Sequence, residues 1–378
     1  MIRNTVAHVD LGAVSANVRA IRDYLAREPR DGAPVPALIA VVKANAYGHG
    51  AERVALAIEA AGADTLACAD IEEAVTLRRA GVRVPILVFG ALSISDLDGI
   101  FECDLTPTIS TPWAARAVQE AATRRGVTVG YHLKIDTGMH RLGFRHENLR
   151  WTLPPMLAAS HLRLDAIYTH FAAADDPGSP IFGEQRQRFD AAAEVVRELA
   201  GRMPMRHAAN SAAVLRDSRV WYDAVRPGLL LYGIVPPPLA STIPLEPVMS
   251  LTSRVVAVKG LRPGEGVGYG GRFVAESAST IAVIPAGYAD GLDTRLSGRG
   301  HVLIRGRRAP IVGAVSMDML TVDVTGMDVS PGDDVIIIGR QGDESWQRLD
   351  AREMAAAIGT IPWEIVCRIG TRIERQYD

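Results

Sequence analysis

Residues 40–50 read Ala40-Val41-Val42-Lys43-Ala44-Asn45-Ala46-Tyr47-Gly48-His49-Gly50. The segment ends an apolar run that begins at Pro36, stops at a lysine and passes into a glycine-containing loop. A lysine at the end of a buried strand keeps its ammonium near apolar walls, and this lowers its pKa. A partly neutral amine is a nucleophile that can form a Schiff base with a carbonyl cofactor. On this segment alone, a lysine whose side chain extends to solvent is the competing interpretation.

The composition is that of an ordinary globular protein. The chain has 378 residues, 48% hydrophobic and 22% charged, with a formal net charge of −2. This balance gives no indication of a nucleic-acid or membrane partner. No apolar stretch approaches the roughly 18 residues that a membrane span needs, and Met1-Ile2-Arg3-Asn4 does not open a signal peptide. The three separated cysteines, Cys68, Cys103 and Cys367, favour thiols in a reducing compartment, so we expect a cytoplasmic protein.

Strand and helix candidates alternate from about residue 10 to residue 240. Asp10 is a predicted N-cap for a helix with one apolar face, Val14, Val18, Ile21 and Leu25. Eight β-rich runs follow: Ala37–Val42, Asp64–Ala69, Val84–Phe89, Asp104–Ile109, Thr128–Ile135, Leu164–His170, Met205–Ala209 and Ala224–Leu231. This alternation predicts a (β/α)8 barrel, an α/β fold. The competing doubly wound sheet would not need eight repeats, and the glycine-rich nucleotide turn after its first strand is missing.

The pattern changes after the proline-rich break Val235-Pro236-Pro237-Pro238. Five β runs separated by glycine turns follow: Thr252–Val258, Thr280–Ile284, His301–Ile304, Met319–Val324 and Asp334–Ile338. Helical periodicity returns only at Asp350–Ile358. We therefore expect a barrel over residues 1–240 and a C-terminal, mostly antiparallel β domain over residues 241–378.

Reactive residue types fall at the ends of the predicted barrel strands, where the chemistry of such barrels is located. They are Lys43, Lys134, Asp136, His170, His207, Asn210, Ser211, Arg226 and Gly228. The histidines show no tight ligand spacing with a carboxylate partner, so we expect no metal site. Backbone N–H groups near Ser211 and Gly228 can hold a phosphate where the last two strands end. A phosphate site that faces a lysine indicates pyridoxal phosphate.

Several motifs occur in an order that resembles one family. They are the Lys43 segment quoted above, Lys134-Ile135-Asp136-Thr137-Gly138-Met139-His140-Arg141-Leu142-Gly143, Thr169-His170-Phe171, His207-Ala208-Ala209-Asn210-Ser211, Arg226-Pro227-Gly228-Leu229-Leu230-Leu231-Tyr232-Gly233, Gly268-Tyr269-Gly270, Gly287-Tyr288-Ala289-Asp290-Gly291 and Ser316-Met317-Asp318. Together they resemble the alanine racemase family, which belongs to the fold-type III pyridoxal-phosphate enzymes. The resemblance runs over nearly the whole chain.

The resemblance implies a role for each matching residue. Lys43 resembles the Schiff-base lysine and one of two proton-transfer bases, and Tyr269 resembles the opposite base, supplied by the partner subunit. For the cofactor phosphate, the implied contacts are Tyr47, Ser211 and the backbone at Gly228 and Leu229. For the pyridine nitrogen, the implied contact is Arg226, supported by His207. His170 is a further implied cofactor contact. The implied substrate contacts are Arg141, which also steers Tyr269, and backbone at Met317. Lys134 stands where many members carry a carbamylated lysine, and Tyr288 and Asp318 stand in supporting positions.

The implied activity is the pyridoxal-phosphate-dependent racemisation of L-alanine and D-alanine by a homodimer with shared active sites. Racemisation needs one base on each face of a planar carbanion, as the pair of Lys43 and Tyr269 would supply. A free tyrosine has a pKa of about 10, so a nearby Arg141 would have to stabilise the phenolate of Tyr269. Arg226 does not release its proton, so the pyridine nitrogen would stay unprotonated, and this favours reprotonation at Cα over transamination.

Three other readings stay open at this point. The first is a broader alanine/serine racemase. The second is an amino-acid decarboxylase, against which the arginine at the pyridine nitrogen argues. The third is a non-catalytic pyridoxal-phosphate-binding protein, but such proteins resemble a single barrel without the domain that carries Tyr269.

Two positions depart from the family pattern. His140 stands where members often carry glycine, so the loop before Arg141 is expected to be stiffer or differently gated. Thr371 stands where some members place a tyrosine that narrows the site. Loss of an aromatic ring removes bulk beside the substrate methyl group, and we expect that the pocket admits serine as well as alanine.

Overall fold

The computed structural model describes residues 5–27, 32–90, 92, 97–342 and 347–378. Residues 1–4, from which the expectation about a signal peptide was drawn, lie outside the described residues. The chain divides into two compact units. The barrel unit comprises Val14–Ala46 and Ala51–Glu246, and the β unit comprises Met1–Ala13, Tyr47–Gly50 and Pro247–Asp378.

The strands of the described residues are numbered in chain order. They are β1 (Val6–Val9), β2 (Ala37–Val41), β3 (Thr65–Cys68), β4 (Ile86–Val88), β5 (Leu105–Ile109), β6 (Val129–Asp136), β7 (Phe144–Arg145), β8 (Leu162–Tyr168), β9 (Met205–Asn210), β10 (Ala224–Arg226), β11 (Met249–Arg254), β12 (Ala257–Leu261), β13 (Gly266–Val267), β14 (Phe273–Val274), β15 (Ser279–Ile284), β16 (His301–Ile304), β17 (Arg307–Val312), β18 (Leu320–Asp323), β19 (Asp334–Gln341), β20 (Gln347–Leu349) and β21 (Glu374–Tyr377).

The helices are numbered in the same way. They are α1 (Leu11–Arg27), α2 (Lys43–Tyr47), α3 (Ala51–Ala60), α4 (Ile71–Arg79), α5 (Asp98–Glu102), α6 (Pro112–Arg125), α7 (Leu149–Thr152), α8 (Pro154–Leu157), α9 (Ile181–Ala200), α10 (Ser211–Arg216), α11 (Ala351–Ile358) and α12 (Pro362–Cys367). Among these described helices, none combines the length and the apolar character that crossing a bilayer requires.

Eight parallel strands close the barrel, as the sequence predicts. The order is β2-β3-β4-β5-β6-β8-β9-β10, and β10 pairs back to β2. The strands are apolar and buried on both faces because helices cover the outside of a parallel barrel. In β2, for example, Leu38, Ile39 and Ala40 are almost completely buried. The eighth strand ends at Arg226, and residues Leu229–Tyr232 form a 3-10 turn instead of continuing the predicted run.

Capping residues begin the helices that follow these strands. The Asp10 carboxylate accepts a hydrogen bond from Ala13 N–H at 2.7 Å, which confirms the predicted N-cap of α1. Helix α4 begins in the same way at Asp70, and α6 begins at Thr111 and ends at Gly126 in the left-handed conformation that glycine favours. The predicted apolar face of α1 is buried as well. The caps fix where each helix leaves its strand, and thereby the loops at the strand ends.

The β unit is a mostly antiparallel sheet. Its strand order is β12-β15-β18-β17-β16-β19-β11-β1-β21, with β20 paired to β19 and β13 to β14 in a separate hairpin. Strand β1, from the N-terminal end of the chain, pairs antiparallel with β11 and parallel with β21. Residues 5–13 therefore group with the β unit, whereas the sequence placed them with the barrel. Strand pairing over long sequence separation leaves no periodicity from which this could be read.

Candidate active site

Lys43 begins a left-handed turn at the end of β2. Ala44, Asn45 and Ala46 have φ of 53°, 54° and 53°, in the region that side chains other than glycine rarely occupy. This conformation costs roughly 1–2 kcal/mol per residue for L-amino acids. Two side chains hold the turn from outside its own backbone. Glu73 accepts a hydrogen bond from Ala44 N–H at 2.6 Å, and the Asn45 amide oxygen accepts one from Ala51 N–H at 2.7 Å.

Lys134 lies on β6 in a cationic environment. Its side chain is 7% exposed, and its ammonium lies 5.7 Å from the centre of the Tyr168 ring. Burial first, and then the charges of Arg141, Arg226 and Lys43, lower the pKa of Lys134 to about 8. The nearby Asp136 opposes this shift only in part. Lys134 is therefore neutral in roughly a tenth of molecules at pH 7 and in about half at pH 8.

The loop from β6 to Arg141 is built around the Asp136 carboxylate. Its Oδ1 accepts hydrogen bonds from the N–H groups of Gly138, Met139 and His140 at 3.0–3.1 Å. Although burial acts to raise the pKa of Asp136, the N–H donors of His140 and Gly138 hold it below its ordinary value. His140 has a φ of 53°, a conformation in which glycine carries no strain, and its ring lies 3.3 Å from Asp136. The contact between the His140 ring and the Asp136 carboxylate offsets part of the backbone strain at His140, and a glycine at this position could not make it.

Arg226 lies at the end of β10 and is 3% exposed. Its Nη2 donates to the carbonyl oxygens of Thr169 at 2.7 Å and Ala208 at 3.0 Å, and lies 3.4 Å from His170 Nδ1. Its Nη1 lies 2.9 Å from His207 Nδ1. Among the described residues, none accepts a hydrogen bond from its Nε. Burial lowers the pKa of Arg226 to about 10, so the guanidinium stays protonated at neutral pH.

A buried histidine pair continues from Arg226. An arginine can only donate, so His207 Nδ1 accepts and its Nε2 carries the hydrogen. That nitrogen lies 3.0 Å from His132 Nδ1, which accepts in turn. Burial, followed by the charge of Arg226, holds the pKa of His207 well below its ordinary value, and burial lowers that of His132 to about 4. Tyr168 stacks on His207 at 4.7 Å. Both imidazoles are therefore neutral and support Arg226 without adding charge.

Ser211 and the segment after β10 form a small cradle of polar atoms. The Ser211 hydroxyl accepts hydrogen bonds from the N–H groups of Gly228 at 2.9 Å and Leu230 at 3.4 Å. Ser211 is buried and begins α10, whose N-cap is Asn210. Ser211 and the Gly228 N–H, both predicted from the sequence, are thus brought together, and the second donor is Leu230 and not Leu229. A cradle of this kind suits the oxygens of an anionic group.

A second buried polar group joins the ends of β6 and β8. The Gln185 amide, on α9, donates to the Thr137 hydroxyl at 3.1 Å and to the His170 carbonyl oxygen at 3.0 Å. Its oxygen accepts from Ala172 N–H at 2.8 Å. The Thr137 hydroxyl lies 2.7 Å from that of Thr169, whose carbonyl oxygen holds Arg226. The strand ends that carry His170 and the Arg141 loop are therefore fixed to one helix.

The remaining predicted residues lie in the β unit. Tyr269 is 78% exposed, in a short 3-10 turn between β13 and β14. The hairpin is anchored by the buried Val267, and Gly268 has a φ of 70° and Gly270 one of 73°, conformations that favour glycine.

Burial raises the pKa of the Tyr47 phenol, and the nearby Cys367 adds to this rise.

Tyr288, Met317 and Asp318 lie close together in the β unit. Tyr288 N–H donates to the Ser316 carbonyl oxygen at 2.9 Å, and Asp318 pairs with Arg372 at 2.6 Å. A side chain at position 287 would collide with the carbonyl oxygens of residues 316 and 317, so the close approach of these segments requires glycine there. The Met317 N–H donates to no other described residue and remains available.

Sequence reasoning missed several residues that the structure places in the barrel site. His132, Tyr168, Thr137, Gln185 and Glu73 were not singled out. His132 alone left a signal, because it alternates with Lys134 and Asp136 along one strand and must share their face. Glu73 and Gln185 left none, since they act from helices on backbone groups far away in the sequence.

A parallel barrel with a lysine, a buried arginine and an anion cradle at its strand ends defines a barrel enzyme with its site at the carboxyl ends of the strands. The family model described as "Alanine racemase, N-terminal domain" matches residues 9–236, and the "Alanine racemase, C-terminal domain" matches residues 248–377. The chain belongs to the alanine racemase family. It is therefore an amino-acid racemase, of the class that interconverts L- and D-alanine.

Relatives and solved structures agree over the full length. The alanine racemase of Symbiobacterium thermophilum is 40% identical over 378 residues, which cover 100% of this chain and 97% of that one. That of Carboxydothermus hydrogenoformans is 40% identical over 382 residues, 100% of both chains. A crystal structure of alanine racemase from the D-cycloserine-producing Streptomyces lavendulae has a TM-score of 0.92 at 37% identity, covering 100% of this chain and 98% of that one.

Proposed function

We propose that the chain racemises alanine with pyridoxal phosphate as its cofactor, by a two-base mechanism. The observation that carries this proposal is the Arg226 environment: a buried guanidinium, held by two carbonyl oxygens and a neutral histidine, with Nε left over for a ring nitrogen. The cradle at Ser211, Gly228 and Leu230 fits a phosphate, and we assign Tyr47 and backbone at Leu229 to it as well. His170 completes the cofactor set.

When bound, the cofactor supplies an electron sink that weakens the bond between Cα and its hydrogen. Lys43 binds the cofactor and moves a proton at Cα on one face, and Tyr269 of a second copy moves one on the other. Arg226 would donate to the ring nitrogen and keep its own proton, so the ring would be a weak electron sink and reprotonation at Cα would be favoured. Arg141 and the Met317 N–H bind the substrate carboxylate, and Tyr288 and Asp318 support that segment.

The direct test is chiral analysis of L-alanine incubated with the purified protein, before and after removal of pyridoxal phosphate. Formation of D-alanine that stops on removal and returns on addition supports the proposal. Equal activity without the cofactor contradicts it. We also propose a homodimer with shared active sites and a cytoplasmic location, as the family resemblance implies.

We propose that Lys134 carries a carbamate whose negative charge orients Arg141. A neutral amine adds CO2 and releases one proton, and the pKa of about 8 makes the neutral form accessible. Because the neutral fraction rises as pH increases through 8, carbamylation at fixed dissolved CO2 should increase from pH 7 to pH 9. Carbon-13 NMR with labelled CO2 measures it. The signal should vanish in Lys134→Ala and persist in Lys259→Ala, whereas a signal retained in Lys134→Ala contradicts the assignment.

We propose that Thr371 leaves room for serine. It lies in an exposed segment held by the hydrogen bond from Gly370 N–H to the Asp290 carbonyl oxygen and by the Arg372–Asp318 pair. Thr371→Tyr should lower the ratio of kcat/KM for L-serine to that for L-alanine by about tenfold, the scale of a pocket that loses a methylene-sized space. Thr371→Ser should leave the ratio unchanged. Turnover of L-alanine by the wild type with no detectable L-serine racemisation rules the proposal out.

A further inference from the structure

One carboxylate from a neighbouring helix, that of Glu73, binds the first residue of the left-handed turn after Lys43, while Asn45 and the backbone hydrogen bond from Ala46 N–H hold its later residues. Glu73 lies in the first turn of α4, where its N–H donates to the N-cap Asp70 at 2.8 Å. Its Oε1 accepts from Ala44 N–H at 2.6 Å, and its Oε2 accepts from Ala69 N–H at 2.8 Å. Ala44 follows Lys43 after β2, and Ala69 follows β3. The two carboxylate oxygens therefore join the carboxyl ends of two adjacent barrel strands.

The turn needs such a restraint. Ala44, Asn45 and Ala46 all have φ near +53°, and strained backbone of this kind persists only where its surroundings fix it. Within the described residues, Ala44 N–H has the Glu73 carboxylate as its hydrogen-bond partner, so this contact fixes the first residue after the lysine. Loss of the contact lets the turn relax and lets the Lys43 backbone move with it.

We propose that Glu73 is a positioning residue for the racemisation. It holds the strained turn that begins at Lys43 and so sets the place from which the Lys43 amine acts. The inference rests on the proposed role of Lys43. A carboxylate is required because two acceptor oxygens meet two N–H donors. A glutamine of the same size presents one acceptor and one N–H2 group, so one backbone donor would face another donor.

The experiment compares Glu73→Gln with Glu72→Gln. Glu72 precedes Glu73 in α4 and is exposed. Its side chain makes no hydrogen bond to residues 44–46, so Glu72 is a matched control. With pyridoxal phosphate and L-alanine, Glu73→Gln should lose about tenfold to a hundredfold in kcat, as expected for a small misplacement of a reacting group. Glu72→Gln should stay within about twofold of the wild type, the range expected of surface changes.

A second readout needs no activity. The chain contains three lysines, Lys43, Lys134 and Lys259. Trace acetylation of the cofactor-free protein, followed by peptide mass spectrometry, gives the ratio of labelling at Lys43 to that at Lys259. The ratio should rise about threefold in Glu73→Gln as the turn opens more often, and hydrogen exchange at Ala44 should become faster. The control should change neither.

A third variant tests whether strain is the cause. Glycine accepts the φ of position 44 without strain, so Ala44→Gly should restore part of the lost kcat in the Glu73→Gln background. If Glu73→Gln does not fold, the double variant replaces it in the same assays. A kcat within twofold of the wild type with an unchanged labelling ratio would overturn the inference. An inactive wild type, or an active Lys43→Ala, would instead refute the proposed function, so the two failures are distinguishable.

Discussion

Replacing Lys43 with alanine is expected to abolish racemisation, with kcat reduced by about ten-thousandfold or more. The variant loses a covalent anchor for the cofactor and a proton-transfer base at once, and base removal alone accounts for about 10²–10⁴. Stability should change little, because Lys43 is only partly buried and at the end of a strand. Chiral chromatography of alanine measures the loss, and thermal unfolding checks the fold.

The small number of lysines makes the assignment of Lys43 direct. Borohydride reduction of the protein with pyridoxal phosphate should fix the cofactor on one peptide, the one that contains Lys43. Lys259 lies on β12, is exposed, and provides the matched control, since Lys259→Ala should keep full activity. Label found on Lys134, or activity of Lys43→Ala within a hundredfold of the wild type, would contradict the role of Lys43.

The barrel could be predicted because parallel strands and their helices leave local signals. All eight predicted strands exist, and the helices between them begin at recognisable caps such as Asp70 and Thr111. The last strand was predicted too long, since Leu229–Tyr232 is apolar and buried but forms a 3-10 turn. Apolar composition indicates burial, and it does not distinguish a strand from a buried turn.

The β unit was predicted less completely. Its five predicted runs are strands, but Thr252–Val258 is divided between β11 and β12. Five further strands in its C-terminal portion were missed: β13, β14, β17, β20 and β21. Strand β17 begins Arg307-Arg308-Ala309-Pro310, and its charges and proline hide a strand that pairs on both sides. Antiparallel pairing is decided by partners distant in the sequence, so composition alone could not have shown it.

The candidate site shows the same division. Residues at strand ends, such as Lys43 and Arg226, were predicted because a barrel places its strand ends together. The residues that hold them were not, because Glu73 and Gln185 are recognised only by the atoms they bind, and the strand position of His132 gave its face but not its partner. A glutamate at the start of a helix is usual, and only its two backbone partners distinguish Glu73 from Glu72.

Tyr269→Phe is expected to lower kcat for racemisation by about a thousandfold while leaving the fold intact. Tyr269 is exposed in the isolated chain, so its hydroxyl supports no packing, and phenylalanine retains the ring. Lys43 remains, and we propose that it serves the face that yields D-alanine. In heavy water the variant should therefore exchange the Cα hydrogen of D-alanine much faster than it forms L-alanine. Proton NMR measures the rate of exchange. Exchange and racemisation that fall together would contradict a two-base mechanism.

Mixing two inactive variants tests whether Tyr269 acts on a second copy of the chain. Each subunit of Tyr269→Phe supplies Lys43, and each subunit of Lys43→Ala supplies Tyr269, so a hybrid dimer contains one complete site of two. Random exchange makes half of the dimers hybrid, and the mixture should recover about one quarter of wild-type activity. Lys43→Ala mixed with a protein carrying both substitutions should recover none, because no subunit then supplies Lys43. A mixture of the single variants that stays inactive after exchange, shown by mass spectrometry of intact dimers, means that Tyr269 does not act across subunits.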